Sequence, residues 1–441
     1  MTKVQLTKFS KVTLVGLAIR LVLAPFFAHP FDVYSWYSIG ENFLSGKETG
    51  WSFLVPYDYS FFLFVIPAAL VFGFLSNYLG AQTISMSSLN PLLNPGAPWN
   101  ISVVPGLLFD LLVKLPLIAS DTLVAFLIYR IVKAQLKDDG LATTAAALWF
   151  LNPLTVWVSS GWGMFDTLPT LFTVLSLYFI LKGKFAYSGL ALVASIVLKY
   201  YAIVLAIPLL FIAWKEGGRR GLVIAMSSIV VASLFLFLPL LGEVIQGFGF
   251  LAAGTPQFGL SYAGLSFWSA ITLFFAIPYL STISSLLVVA SLTGIYYWMV
   301  RKNSVDLFSL AAYFGLALIP LLLFFRFVGE NYVVWIIPFV SILAIQTKRA
   351  KILLWSLSLV AFISSITDAL LPYYMLPLAP WIGKYLVGLL SLTIPYRVAP
   401  GGAVTQTVSF GKLFLSGLGV LSAILLVLIT ITWIMAENRS D

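Results

Sequence analysis

The stretch Lys182–Arg220, KGKFAYSGLALVASIVLKYYAIVLAIPLLFIAWKEGGRR, decides how the chain is folded. Lys182 and Lys184 close it at one end and Lys215, Arg219 and Arg220 at the other, around a long apolar run. A single helix through 186–214 would put one basic cluster on each face of a membrane, against the rule that Lys and Arg gather on the cytoplasmic side. The run is therefore expected to split near Lys199 into a hairpin of two short arms. Short or broken helices are tolerated in a membrane where protein or a cavity covers them.

The same rule orders the rest of the chain. Lys3, Lys8 and Lys11 precede the first apolar run, which is read as a retained span with the N-terminus inside because no small-residue cleavage site follows it. Arg130, Lys133 and Lys137, then Arg301 and Lys302, then Lys348, Arg349 and Lys351 each follow an apolar run. With Arg439, the clusters placed inside hold 17 of the 25 Lys and Arg residues. This requires twelve spans, at 12–28, 112–132, 141–158, 166–181, 186–198, 200–214, 221–241, 280–300, 306–325, 332–347, 352–371 and 411–435, with both ends inside. The stretches 60–80, 262–279 and 381–395 are left outside as helices lying in or dipping into the outer leaflet.

Composition fits this all-α, multi-pass bundle. Of 441 residues, 61% are hydrophobic and 9% charged, against about 25% charged in soluble domains, so a water-soluble enzyme is excluded. There is no cysteine and a single histidine, His29, which excludes disulfides, thiolate nucleophiles, zinc clusters and histidine relays. The net charge of +9 follows from the cytoplasmic clusters, and no nucleic-acid partner is expected. Cytoplasmic connections are a few residues long, whereas 29–110, 242–279 and 372–410 lie outside. The working surface is therefore expected on the external or lumenal face. No Gly-rich phosphate turn is present for a nucleotide, so any activated substrate should be lipid-borne. Two modules are expected: 1–347, including the external loop 29–110, and 348–441, with the external segment 372–410.

Ionisable groups inside spans cost several kcal/mol unless they are paired or face a cavity. Arg20, Asp110, Lys114, Asp121 and Lys199 are the candidates. Lys114 and Asp121 stand seven residues apart on one helix face, which allows an interhelical ion pair or a substrate contact; Asp110 and Lys114, four apart, allow a local pair. At the outer ends of the spans lie Asp32, Glu41 and Asp58 among aromatic residues, then Asn152–Pro153 with the turn Trp162–Asp166, then Arg326, Glu330, Asn331 and Tyr332. Carboxylates mixed with rings suit a sugar or polyol, although interfacial Trp and Tyr also serve as plain membrane anchors. The Arg326 guanidinium suits a phosphate or a local pair with Glu330.

In this order the clusters resemble the GT-C class of membrane glycosyltransferases. They are most similar to the branch with the mannosyltransferase that adds the first mannose to glycosylphosphatidylinositol precursors, and its prokaryotic relatives. The resemblance runs from about residue 15 to 340 through Arg20, the acidic first loop 32–46, Lys114, Pro116 and Asp121. It continues through Asn152–Pro153, the 162–166 turn, Lys199–Tyr200–Tyr201 with Pro208, and Asn331, Tyr332, Trp335 and Pro338. That branch carries Asp-x-Asp in its first loop; here Tyr34 stands two positions after Asp32, so the chain looks more like GT-C enzymes that use a single Asp.

The resemblance implies transfer of a sugar, mannose first, from a polyprenyl-phosphate donor to a lipid-linked or glycan acceptor, with inversion. Asp32 would be the general base, and Arg326 or Lys199 would meet the donor phosphate. Glu41, Asp58 and Asp166 would bind acceptor hydroxyls, with Lys114, Asp121, Glu330 and Tyr332 completing the site. No cofactor is expected; a divalent metal is allowed but not indicated. The alternatives are a multi-pass transporter or lipid-linked-sugar flippase, and an O-antigen ligase or polymerase type of enzyme. The expected location is the cell membrane, or the endoplasmic reticulum in a eukaryote.

Overall fold

The computed structural model describes residues 7–29, 32–47, 61–79, 83–85, 103–238, 265–272, 279–325, 328–368, 374–378 and 410–437. These residues are almost all helical. In chain order they form α1 (Lys8–Leu23), α2 (Asp32–Leu44), a π turn Phe61–Val65 running into α3 (Ile66–Leu79), α4 (Leu107–Leu136), α5 (Asp139–Phe150), and α6 (Pro153–Val156) with the π turn Trp157–Trp162. There follow α7 (Thr167–Ile180), α8 (Phe185–Leu198), the 3-10 turn Tyr200–Leu205, α9 (Ala206–Phe237), α10 (Phe267–Thr272), α11 (Leu280–Lys302) and α12 (Leu307–Phe324). The 3-10 turn Glu330–Trp335, α13 (Ile337–Ala344), α14 (Lys348–Asp368), the turn Leu376–Leu378 and α15 (Phe410–Glu437) complete the chain. A two-residue antiparallel ladder, β1 (Ile84–Ser85) on β2 (Val103–Val104), is the only strand pairing among the described residues.

Among the described residues six helices are long and apolar enough to cross a membrane, or seven if α5 and the Pro153–Trp162 segment, bent by 51°, form one span. This length and composition test finds fewer than the twelve spans expected, and the protein is a multi-pass integral membrane protein. The difference lies in short helices. α7 and α8 have 14 residues each, roughly 21 Å at 1.5 Å per residue, against about 30 Å of bilayer hydrocarbon. The α5 break has a local cause: Asn152 Oδ1 accepts from Leu154 N at 3.0 Å, and Pro153 takes the first helical position, where its missing N–H costs nothing.

The 182–220 stretch folds back on itself twice. α8 ends at Leu198, Lys199 is extended (φ −159°, ψ 117°) and the 3-10 turn begins at Tyr200. Tyr200–Phe237 then reads as one long apolar helix but is broken at Gly218 (φ 59°, ψ −154°). A Cβ at Gly221 would lie 2.5 Å from the Ala213 carbonyl oxygen, and the Phe185 ring packs on both Gly217 and Gly221. Eight residues of straight helix would span about 12 Å, so the chain reverses there. Val193 and Val197 of α8 pack on Ala232, so 219–237 runs alongside α8. The conformation of Gly218 is open to glycine alone, and nothing lies within 4 Å of its Cβ position. Gly218→Ala therefore costs about 1–3 kcal/mol through backbone strain, read as a lowered midpoint of unfolding in detergent.

α12 is the centre of the bundle. The apolar window of Leu307–Phe324 is 78% buried against 17% for Leu280–Lys302, which places α11 at the rim. Asp306 starts α12 by accepting from Phe308 N, Ser309 N and the Ser304 and Ser309 hydroxyls. Partial burial pushes the Asp306 carboxyl up, and these bonds outweigh it and hold the group below its ordinary value. Its contribution is complete above the unfolded carboxyl value of about 3.9 and is lost as pH falls through the lower folded value. Asp306→Ala should cost about 1 kcal/mol at neutral pH and nothing extra in strong acid, measured by thermal unfolding across pH.

Charge separates the two ends of the bundle. Phe9 stacks on Tyr129 at 4.3 Å, and Tyr129 and Lys133 bond Asp139 at 2.5 and 2.8 Å. This basic end also carries the turns at 181–184 and 215–220. The opposite end holds His29, Asp32, Asp166, Lys199 and Glu330.

Candidate functional site

Three polar clusters run from the bundle interior to that opposite end. The deepest joins α1, α4 and the α5–α6 bend. Arg20 Nε bonds Asp121 Oδ2 at 2.8 Å with both side chains fully buried. Arg20 also donates to the Phe150 carbonyl at 2.7 Å and the Gly16 carbonyl at 3.3 Å, and its guanidinium lies 4.1 Å from the Phe150 ring centroid. Ser159 Oγ donates to Asp121 Oδ2 at 2.6 Å, and the Trp149 indole donates to the Asp121 carbonyl at 3.0 Å. Asp121 thus pairs with Arg20 on another helix and not with Lys114. Lys114 Nζ instead donates to the carbonyls of Ala24 and Phe27, where α1 ends and its last carbonyls need donors. It makes no hydrogen bond to Asp110.

The second cluster is built on the Lys199 break. The extended backbone there lets Lys199 Nζ reach Asp166 Oδ1 at 2.6 Å. The Trp335 indole donates to the same oxygen at 2.6 Å, and Asn331 Nδ2 donates to Asp166 Oδ2. The ammonium lies 4.3 Å from the Tyr332 ring centroid, 5.2 Å from Phe165 and 5.3 Å from Trp335, close enough for cation–π attraction. Tyr201 stacks on Trp335 at 3.7 Å. Glu330 Oε1, on the same turn as Tyr332, accepts from Ser364 Oγ at 2.8 Å and ties that turn to α14.

The third cluster lies at the end of the bundle. The Trp162 indole donates to Asp32 Oδ2 at 2.6 Å. His29 Nδ1 lies 3.0 Å from the same oxygen and 3.2 Å from the Asp32 amide nitrogen. It can donate to the first or accept from the second. The imidazole stacks on Trp162 at 5.0 Å and meets the Tyr374 ring edge at 5.3 Å. Burial pushes the Asp32 carboxyl up, but His29, the Trp162 indole and the charge of Lys199 outweigh it and hold the group below its ordinary value. Such a carboxylate is a weak proton acceptor. Gly163 (φ 88°) lets the loop pass this closely: a Cβ there would lie 2.8 Å from Val33 and 2.9 Å from Lys114. Its carbonyl accepts from the Trp36 indole at 3.3 Å.

The structure thus brings Asp166, Lys199 and Tyr332 together, with Asp32 within electrostatic reach of Lys199. It keeps Arg20–Asp121 apart from them in the interior and leaves Glu41 exposed on α2. Asp58 and Arg326 lie outside the described residues. Among the described residues no three carboxylates or imidazoles converge to hold a metal. Sequence reasoning missed Tyr374, which lies in a region that adds nothing to the resemblance yet packs on His29, Trp157 and Trp162. Nothing local in the sequence marks it, because the three rings it meets are more than 200 residues away.

A family model described as "PIG-U: GPI transamidase subunit PIG-U" matches residues 84–251, under half of the chain. No curated protein matches the chain. The family match overturns the expected mannosyltransferase resemblance. It overturns with it the assignment as a glycosyltransferase with Asp32 as base, the polyprenyl-phosphate sugar donor and the glycan acceptor. The physical reason is that Arg20, Lys114, Asp121, Asn152, Asp166 and Lys199 are all engaged in ion pairs, caps and carbonyl contacts that hold helices together. A bundle needs these residues in that order whether or not it transfers sugar.

Proposed function

We propose that the chain is a membrane-embedded, non-catalytic subunit of an assembly of the transamidase kind, which attaches proteins to glycosylphosphatidylinositol-type anchors. The observation that carries this reading is the family match over 84–251. That segment supplies Lys114, Asp121, Asn152, Asp166 and Lys199, the polar interior just described. In this reading the interior pairs keep the bundle rigid. The end with Asp32, Glu41 and Tyr332 presents carboxylates and rings to the glycolipid head group. The finer topology belongs to the same proposal: both termini inside, the short helices α7 and α8 counted as a covered hairpin toward twelve crossings, and α2 and α3 lying in the outer leaflet. The membrane is the one that houses anchor attachment, the endoplasmic reticulum in a eukaryote, with the glycolipid met on the lumenal or external face.

The test is purification of the tagged full-length chain from its native membranes in mild detergent, followed by sizing and identification of what accompanies it. The expected result is a stable complex whose other chains include a cysteine- or serine-type transamidating enzyme. A chain that elutes alone from membranes still able to attach proteins to glycolipid would overturn the reading.

A further inference from the structure

Two turns from separate parts of the chain meet at the basic end of the bundle. The Phe185 ring, next to Lys184, packs on Gly217 and Gly221, where an added Cβ would lie 2.4 and 3.0 Å from it. This contact holds the 181–184 turn beside the 214–220 turn. Lys182, Lys184, Lys215, Arg219 and Arg220 are all exposed there, against one carboxylate, Glu216. None of these five cations makes an ion pair among the described residues, whereas Lys133 at the same end bonds Asp139 at 2.8 Å. The helix dipole accounts for Lys182 and Lys215, at the C-terminal ends of α7 and of the first arm of α9. It disfavours Arg219 and Arg220, which open the returning arm.

The returning arm also carries an uncovered apolar strip. Val223, Met226 and Val230 follow Arg219 by four, seven and eleven positions, so all four share one helix face. That face is opposite Ala225, Ser228 and Ala232, which meet α8. Val223, Met226 and Val230 are 47%, 49% and 50% exposed, as is Trp214 ahead of the break at 50%, and Trp gathers where a membrane meets water. We propose that the double turn binds the head group of an anionic phospholipid. Cations of both turns meet its phosphate, and its acyl chains lie along Val223, Met226 and Val230. Anionic lipids attract basic segments at this level of a membrane. A free phosphate would use the cations and leave the strip bare. An acidic protein segment would have to enter the hydrocarbon to cover it, and a zwitterionic head group brings a further cation into a patch that already has five.

The site lies at the end of the bundle away from Asp32 and Asp166. It does not rest on the transamidase reading, and binding is read on the chain alone, so either can fail while the other stands.

The experiment uses the full-length chain in phosphatidylcholine nanodiscs with a minor fraction of phosphatidylglycerol, and reads the lipid retained by native mass spectrometry. The variants are Lys182→Gln with Lys184→Gln, Arg219→Gln with Arg220→Gln, and Arg219→Lys with Arg220→Lys. Lys348→Gln with Arg349→Gln removes the same charge from another exposed turn. The expected result is selective retention of phosphatidylglycerol, weakened about fivefold or more by neutralising either turn of the site. The Arg-to-Lys variant should keep most of it, because the charge is unchanged, and the Lys348–Arg349 variant should leave it nearly unchanged. A thermal scan checks that the Gln variants, all at exposed positions, stay folded. Equal retention of phosphatidylcholine, loss in only one of the two turns, or an equal loss in the Lys348–Arg349 variant overturns the site; the last would mean diffuse attraction to the whole basic face. Glycerol phosphate in solution displacing the lipid at similar concentration would assign the cations to a soluble anion and overturn it too.

Discussion

Arg20→Leu should destabilise the folded bundle by about 3–5 kcal/mol, because it leaves Asp121 charged, buried and without its counterion. Asp121→Leu should cost a similar amount for the opposite reason: a guanidinium at 0% exposure keeps neutral partners alone, the Phe150 and Gly16 carbonyls, the Thr155 hydroxyl and the Phe150 ring. Removing both charges together, in Arg20→Leu with Asp121→Leu, should be milder than either single change, since neither is then stranded. The measurement is unfolding in mixed detergent micelles. Single variants within about 0.5 kcal/mol of wild type would show that the pair does not hold α1 to α4.

The Asp166 hub makes an unequal pair of predictions. Asp166 accepts from Lys199, Trp335 and Asn331, so Asp166→Ala strands one buried cation and two buried donors on two other elements. A loss of about 3–5 kcal/mol is expected, in the range for breaking a buried ion pair. Lys199→Met removes a single donor and leaves the carboxylate with the Trp335 and Asn331 bonds, while Met fills the slot between Phe165, Tyr332 and Trp335. It should cost distinctly less. Equal losses, or a larger loss in Lys199→Met, would contradict the account of Asp166 as the junction.

The double fold-back around Lys199 was legible because it rests on a global constraint: basic clusters at both ends of one apolar run cannot share a side of the membrane unless the run turns. Gly217–Gly218 ahead of Arg219 marks the second reversal in the same way. The helix lengths were not legible, since charge bookkeeping counts crossings without regard to length, and α7 and α8 are too short to meet lipid over the full thickness of a bilayer. The partner of Asp121 was not legible either. Seven-residue spacing puts Lys114 and Asp121 on one face of α4 but says nothing of which helix approaches each level; α1 meets Asp121 with Arg20 and Lys114 with bare carbonyls.

The function was misread for a related reason. An ordered set of intramembrane charges and Asn–Pro or Trp–Asp turns looks catalytic when taken one residue at a time. In the folded chain those residues spend their hydrogen bonds on one another, and Asp32, the proposed base, already accepts the Trp162 indole and is held in its weakly basic, ionised form. Of the five intramembrane candidates, Asp110 alone keeps both carboxylate oxygens without a hydrogen-bond partner among the described residues.

The most direct test of the central claim is to deplete the chain in its native membranes and follow two quantities together: the fraction of anchored proteins that carry glycolipid, and the composition of the free glycolipid pool. The account predicts that protein attachment falls while glycolipid with its full set of sugars accumulates, both restored by the wild-type chain. A pool that stops short by one sugar, with attachment of whatever complete glycolipid remains proceeding normally, would contradict it.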